Sequence, residues 1–242
     1  MKLAIDVGNT LVKLAVFDGD NLLSLHKYND LNSEIVEELF QQYPDIGSAI
    51  IASVRDIPVE INALLSRYVK LTKLSCNTPL PFAIDYNSKE SLGADRIAAV
   101  AAAKQLYPGK DLLVIESGTC ITYDFISADG IYHGGSISPG MEMRFQALHN
   151  FTDKLPLIEA VRDPELTGKT TEASIQSGVI NGMIAEIEGV ISRYESNYEY
   201  LTIILSGGNL DYFDKNLKNN IFAVPNIVLT GLNIILEFND KN

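Results

Sequence analysis

Asp6-Val7-Gly8-Asn9-Thr10 follows the apolar run Leu3-Ala4-Ile5 and precedes the alternating stretch Leu11 to Phe17. The order reads as a strand, a small polar turn and a second strand. A carboxylate at the end of a buried strand, then a glycine and two short hydrogen-bonding side chains, is what a hairpin needs to hold Mg²⁺ and polyphosphate. Gly8 lets the backbone approach phosphate oxygens and tolerates positive φ. Asn9 and Thr10 can donate to those oxygens, and Asp6 can hold a metal through water. Taken alone, the same five residues also read as an ordinary β-hairpin with a polar turn.

A second stretch repeats the scheme. Val114-Ile115-Glu116-Ser117-Gly118-Thr119 is again an apolar strand, a carboxylate, one residue, a glycine and a small polar residue, and it runs into the β-rich Cys120 to Phe125. Each copy then reaches a turn with Asp and Gly, at Asp18-Gly19-Asp20 and at Ala128-Asp129-Gly130. A weaker echo, Ile203-Ile204-Leu205-Ser206-Gly207-Gly208-Asn209, opens a buried strand into a glycine pair. Three such strand-to-glycine turns, two of them acidic, predict a duplicated fold around a cleft, with one nucleotide between the halves.

At 242 residues and 46% apolar content, the chain has ample material for one large domain or two lobes. A net charge of −12 and a pI near 4.6 argue against nucleic acid and against anionic membrane surfaces as partners. Phosphate must then be held by turn amides and a metal more than by bulk charge. The first strand follows Met1 directly, so no signal peptide is expected. No apolar run approaches the roughly 18 residues of a membrane span. Cys76 and Cys120 lie in dissimilar settings with no metal spacing, and Cys120 reads as a small packing residue. A cytoplasmic protein is the expectation.

Periodicity places strands at Lys2 to Ile5, Leu11 to Phe17, Leu22 to Tyr28, Ser48 to Ser53, Val69 to Leu74 and Asp111 to Ile115. Further strands fall at Ile121 to Ile126, Ile131 to Ser138, Tyr200 to Ser206 and Phe222 to Val224. Helices are expected at Asn32 to Gln42, Pro58 to Ser66, Ala94 to Tyr107, Gly140 to Asn150, Thr171 to Asn197 and Val228 to Phe238. Hairpins followed by helices predict an α/β protein with mixed sheets covered by helices. Tyr107-Pro108-Gly109-Lys110 is the expected boundary, giving lobes 1–109 and 110–242.

Leu92-Gly93-Ala94-Asp95-Arg96 opens a helix with an acid and a base in its first turn. Asp95 there serves as a capping acid through the helix dipole, worth roughly 0.3–1 kcal/mol. Arg96 works against that dipole unless it has an acid or an anionic ligand to bind. A substrate carrying a carboxylate and a hydroxyl accounts for both, Arg96 holding the carboxylate and Asp95 taking the hydroxyl proton. His26, His133 and His149 share no spacing with each other or with acids, and no metal site is expected among them. Tyr123 and Tyr132 read as sheet packing, Glu34 to Glu38 as a solvated helix face, and Gly134-Gly135 and Pro139-Gly140 as turns or a glycine-rich floor.

Taken in order, Asp6 to Thr10 with Lys13, Gly93 to Arg96, Gly118-Thr119 ahead of Thr122 and Asp124, Gly134 to Gly140, and Ser206 to Asn209 resemble the type III pantothenate kinase family. The likeness runs on to Leu229-Thr230-Gly231-Leu232-Asn233 and so covers essentially the whole chain. It implies the acetate and sugar kinase, Hsp70 and actin fold, two lobes each on a ribonuclease-H-like core. It also implies transfer of the ATP γ-phosphate to the 4′-hydroxyl of pantothenate, the opening step of coenzyme A synthesis.

Position by position, the resemblance makes Asp6, Val7, Gly8, Asn9, Thr10, Leu11, Val12 and Lys13 the first phosphate loop. Asp6 would lie near Mg²⁺ through water, Lys13 near the phosphates, and Thr119 against ATP. Asp95 matches the general base, and Gly93, Ala94, Asp95 and Arg96 the substrate-binding run. Tyr86 falls where the family places a pantothenate-contacting tyrosine. Thr171 resembles a threonine that reaches pantothenate across a homodimer interface, which implies shared active sites. Where the family usually has aspartate helping to bind a monovalent cation, K⁺ or NH₄⁺, this chain has Glu116, whose extra methylene shifts the carboxylate. After Tyr86 the usual Asn-Pro is replaced by Asn87-Ser88. Two alternatives stay open at this point: a non-catalytic relative like the Bvg accessory factors, and another small-molecule kinase or a polyphosphatase of the same superfold.

Overall fold

The structure is a computed structural model and describes residues 1–213 and 221–241. It divides into two compact units. The first comprises Met1–Pro108, Gly130–Tyr132 and the described residues from Asn226 onward; the second comprises Gly109–Asp129 and the described residues of His133–Pro225.

In the first unit, β1 (Lys2–Val7), β2 (Val12–Asp18) and β3 (Asn21–Tyr28) form an antiparallel meander, and β4 (Ser48–Ser53) and β5 (Lys70–Lys73) add in parallel beyond β1. The sheet order is therefore β3-β2-β1-β4-β5. Strand alternation decides which side chain faces which layer. Leu3, Ile5 and Val7 of β1 join Leu14 of β2 and Ile51 of β4 in a core closed by α1 (Ser33–Gln42) and α2 (Val59–Tyr68). Asn32 starts α1 by accepting a hydrogen bond from the Ile35 amide at 2.9 Å, and Val36, Leu39 and Phe40 give it one buried stripe. Glu34, Glu37 and Glu38 lie on its exposed side.

The opposite face of the sheet carries α3 (Ala94–Leu106) and α7 (Ile227–Asp240). Ala98 to Ala103 of α3 are buried all round, and their small side chains let α7 come close. A Cβ on Gly231 would sit 1.7 Å from the Ala98 carbonyl oxygen, so that approach requires glycine. This packing explains a departure from the expected division at 109/110. The C-terminal helix belongs with the first unit, because its apolar surface is buried between α3 and the first sheet.

The second unit repeats the plan. Its antiparallel meander is β7 (Leu112–Ser117), β8 (Cys120–Ile126) and β9 (Ile131–Pro139), with β10 (Thr202–Ser206) and β11 (Ile221–Ala223) parallel beyond β7. Within this six-stranded sheet the run β9-β8-β7-β10-β11 matches the order of the first sheet. Its core packs Leu113, Ile115, Ile121 and Tyr123 against α4 (Met141–Asn150) and α5 (Thr171–Glu195). Some short elements escape the sequence reading. Ala83–Ile84 (β6) pairs in parallel with Ile131 and Tyr132, and Leu210–Phe213 forms a single helical turn, α6. Neither is long enough to show a period.

Gly231→Ala should cost about 1–3 kcal/mol or more, as overpacking of a closed interface does. A urea-denaturation midpoint equal to the wild type would contradict this account of the α3–α7 contact.

Candidate active site

In the first unit the hairpin register pairs Asp6 with Lys13 and Val7 with Val12. Because Leu3, Ile5 and Val7 face α1 and α2, alternation turns Asp6 toward the α3 side. Its side chain is buried, 7% exposed, and the Lys13 ammonium lies 3.6 Å from Oδ2. Desolvation by burial pushes the Asp6 carboxyl above its ordinary range; Lys13 pulls it down, and the charge of Asp95 pushes it up further. Asp6 and Asp95 are thus electrostatic neighbours, with Lys13 paired to Asp6.

The turn itself is closed by the Gly8 amide donating to the Leu11 carbonyl at 3.0 Å. Gly8 does not use the positive φ that glycine tolerates. What glycine supplies is room: a Cβ there would lie 3.1 Å from the Leu11 oxygen. Beyond β4, the Val54 amide donates to the Val7 carbonyl at 3.1 Å and anchors the strand just before the turn.

Gly93 is the N-cap of α3, and Asp95 in the first turn accepts a hydrogen bond from the Arg96 amide at 2.9 Å. Capping and function are therefore compatible, since the bond uses one of two carboxylate oxygens. Arg96 is 6% exposed, an unusual depth for a cation in the first turn of a helix. Tyr86, half-buried, lies two residues past the end of β6, and the intervening Asp85 amide donates to the Tyr132 carbonyl at 2.9 Å. The unforeseen strand β6 is what fixes the backbone at Tyr86.

In the second unit, Glu116 pairs with Thr122 across the β7–β8 hairpin, so the two share a face. The Gly118 amide donates to the Cys120 carbonyl at 2.9 Å and closes the turn that carries Thr119. The Glu116 carboxylate folds back over that turn, its oxygens 3.4 and 3.5 Å from where a Gly118 Cβ would stand. Two further glycines press on it. Gly140 donates its amide to the Thr119 carbonyl at 3.1 Å, and a Cβ on it would lie 2.3 Å from the Gly118 oxygen. Gly207, at φ +107°, leaves 2.1 Å between a notional Cβ and the Ser117 oxygen. Gly135 likewise packs directly on the Tyr123 carbonyl. Gly135 and Gly140 are close-approach positions and not turns alone.

Tyr123 does more than pack in the sheet. Its hydroxyl donates to Glu186 Oε1 at 3.0 Å, and Arg144 donates to Glu186 Oε2 at 2.6 Å. Burial, aided by the Glu186 charge, pushes the Tyr123 hydroxyl well above its ordinary value. Burial alone would raise Glu186 too, yet hydrogen bonds from Arg144, Ser138 and Tyr123 outweigh it and hold the carboxyl below its usual range. This network carries no signal in the sequence, because its members come from β8, β9, α4 and α5.

Thr171 begins α5, whose N-cap Thr170 accepts from the Ala173 amide at 3.1 Å. It lines a groove of about 1010 Å³ with Arg144, Leu148, Leu155, Lys169 and Ile175; neither Glu116 nor Thr119 lines it. Asp6, Lys13, Tyr86 and Gly93 to Arg96 fall in the first unit, and Glu116, Thr119 and Thr171 in the second. Among the described residues no cluster of three His, Cys, Asp or Glu side chains could hold a metal by itself. The single carboxylate of Asp6 fits a Mg²⁺ ion whose other oxygens come from water and phosphate. Among them, too, no helix is long and apolar enough to cross a membrane.

Two sheets of matching order, each with an acidic strand end and a glycine turn, define the actin-like fold shared by ATPases and sugar kinases. The comparisons agree. A Campylobacter jejuni protein described as of the Baf family superposes with a TM-score of 0.65 at 19% identity, covering 99% of this chain and 100% of its own. A glucokinase from an Antarctic psychrotroph superposes at 0.53 and 11% identity, with 98% of each chain covered. At such identities the likeness speaks to fold only. The sequence profile described as type III pantothenate kinase matches residues 2–193. A type III pantothenate kinase of Christiangramia forsetii is 46% identical over 240 residues, 99% of either chain. The chain belongs to the type III pantothenate kinase family.

Asp6→Asn tests the electrostatics. An Asp with a raised folded pKa weakens the fold when ionised, and that penalty grows as pH rises from the ordinary 3.8 through the folded value. The variant should therefore melt at or above the wild type at pH 7, with the gap closing in acid. A variant melting well below the wild type at pH 7 would show that the Lys13 ion pair outweighs desolvation.

Proposed function

We propose that this protein phosphorylates pantothenate at its 4′-hydroxyl with ATP, giving 4′-phosphopantothenate at the start of coenzyme A synthesis. The observation that carries the reading is the Asp95-Arg96 pair at the N-terminus of α3, with the base-bearing carboxylate in electrostatic reach of Asp6. Pantothenate offers what the pair requires, a carboxylate and a primary hydroxyl. Arg96 holds the carboxylate. Gly93 and Ala94 let the substrate approach the helix end, and Tyr86 lines its flank.

Phosphoryl transfer passes through a loose transition state, so alignment and charge stabilisation supply most of the catalysis. Asp95 orients the hydroxyl oxygen toward the γ-phosphorus and accepts its proton late, as the P–O bond forms and the bond to ADP breaks. Asp6 to Lys13 take the phosphates of ATP, with Lys13 exchanging its contact with Asp6 for phosphate oxygen, and Thr119 touches ATP from the second turn. Asp6 would hold Mg²⁺ through water, and the ion would supply neutralisation of the charge developing on the phosphoryl oxygens. Glu116 is the candidate carboxylate for a monovalent cation, K⁺ or NH₄⁺, with Thr122 beside it. Thr171 reaches pantothenate across a homodimer interface, and the protein works in the cytoplasm.

The test is a coupled assay of ADP release with MgATP and pantothenate, with and without K⁺ or NH₄⁺. Pantothenate-dependent ADP release is expected in at least one cation condition, and none in any would defeat the proposal. Asp95→Asn should lower kcat by about 10²–10⁴-fold, the usual worth of a general base, at unchanged melting temperature. Near-normal turnover would remove Asp95 as the base.

A further inference from the structure

Arg144 projects from the first turn of α4 and makes three donations inside the second unit. Its Nε donates to the Pro139 carbonyl at 2.8 Å, and its Nη2 to Ser138 Oγ at 3.0 Å and to Glu186 Oε2 at 2.6 Å. Glu186, on α5, also accepts from the Tyr123 hydroxyl at 3.0 Å. The guanidinium thus ties the end of β9 to α5, with the charge-assisted bond to Glu186 setting its orientation. The side chains are 21% and 28% exposed, sheltered enough for geometry to be fixed.

The next residue after Pro139 is Gly140, and Gly140 supports the second turn. Its amide donates to the Thr119 carbonyl at 3.1 Å, and its Cα leaves no space for a side chain against Gly118 and Thr119. On the other side Gly207 presses on Ser117, and the Asn209 amide donates to the Ser117 carbonyl at 3.2 Å. A turn held between two backbone contacts moves when either support moves. The Gly140 support is tied down by a charged side chain, Arg144, through Pro139.

We propose that Arg144 and Glu186 are positioning residues for the second phosphate turn: their ion pair fixes Pro139-Gly140, and Gly140 fixes the Thr119 that meets ATP. The inference rests on the reading of Thr119 as an ATP contact. Tyr123 belongs to the same cluster but not to this path: its hydroxyl bonds Glu186 Oε1, whereas Arg144 holds Oε2. It therefore separates positioning from plain stability.

Steady-state kinetics on the full-length protein test the assignment, with MgATP and pantothenate varied in turn and melting temperatures measured alongside. Arg144→Met should raise KM for MgATP about tenfold, while KM for pantothenate stays within about twofold. That expectation follows from the loss of one charge-assisted contact. Glu186→Gln should give a smaller rise, and Arg144→Lys should recover part of the loss. Tyr123→Phe should lower the melting temperature and leave KM for MgATP unchanged. A normal KM for MgATP in Arg144→Met overturns the proposal, as does an equal rise in both Michaelis constants, which would assign the clamp to the Thr171 groove. If the wild type does not phosphorylate pantothenate, that failure belongs to the functional reading. MgATP affinity by calorimetry then decides: weaker binding by Arg144→Met supports the clamp, and equal binding or no binding by the wild type overturns it.

Discussion

A carboxylate buried at the end of a strand is the constraint around which the first unit is arranged. Asp6 needs the apolar β1 beneath it to be carried into the protein, yet the same burial disfavours its charge. Lys13 offsets part of that cost from the neighbouring strand, and the register of the hairpin is what brings it there. Alternation along β1 sends Leu3, Ile5 and Val7 into one core and leaves Asp6 to the side of α3, where Asp95 starts the helix. A slip of one residue would bury the wrong side chains and remove both carboxylates from each other. Core packing and the acidic site are consequences of a single register.

The two units use one sheet order but hold their glycine turns differently. The first turn closes on itself through Gly8 and Leu11. The second is pressed from outside by Gly140 and Gly207, so its shape depends on residues far along the chain. Two copies of a motif have kept their topology while their supports diverged. This is consistent with the unlike duties proposed for them, phosphate and metal at the first turn and a lighter contact through Thr119 at the second.

Much of this was legible in the sequence, for physical reasons that also mark the limit. The strands and helices declare themselves because their buried faces repeat with the period of the backbone, and the Asp6 and Glu116 turns because carboxylate and glycine interrupt that period at the same place. The Asp95-Arg96 pair stands out because Arg96 opposes the helix dipole that Asp95 complements. What was hidden depends on contacts distant in sequence. The membership of α7 in the first unit needs the face of Gly231 against Ala98, and the supporting role of Gly140 needs Thr119 beside it. Arg144 and Glu186 lie 42 residues apart and neither position has a local pattern. Of the two properties that glycine brings to position 8, close approach and tolerance of positive φ, the structure uses the first.

A crystal structure with pantothenate, Mg²⁺ and a non-hydrolysable ATP analogue tests the central claim most directly. The account predicts the 4′-hydroxyl within hydrogen-bonding distance of the Asp95 carboxylate and the pantothenate carboxylate on the Arg96 guanidinium. A substrate bound with its hydroxyl away from Asp95, or with its carboxylate held by other residues, would contradict it.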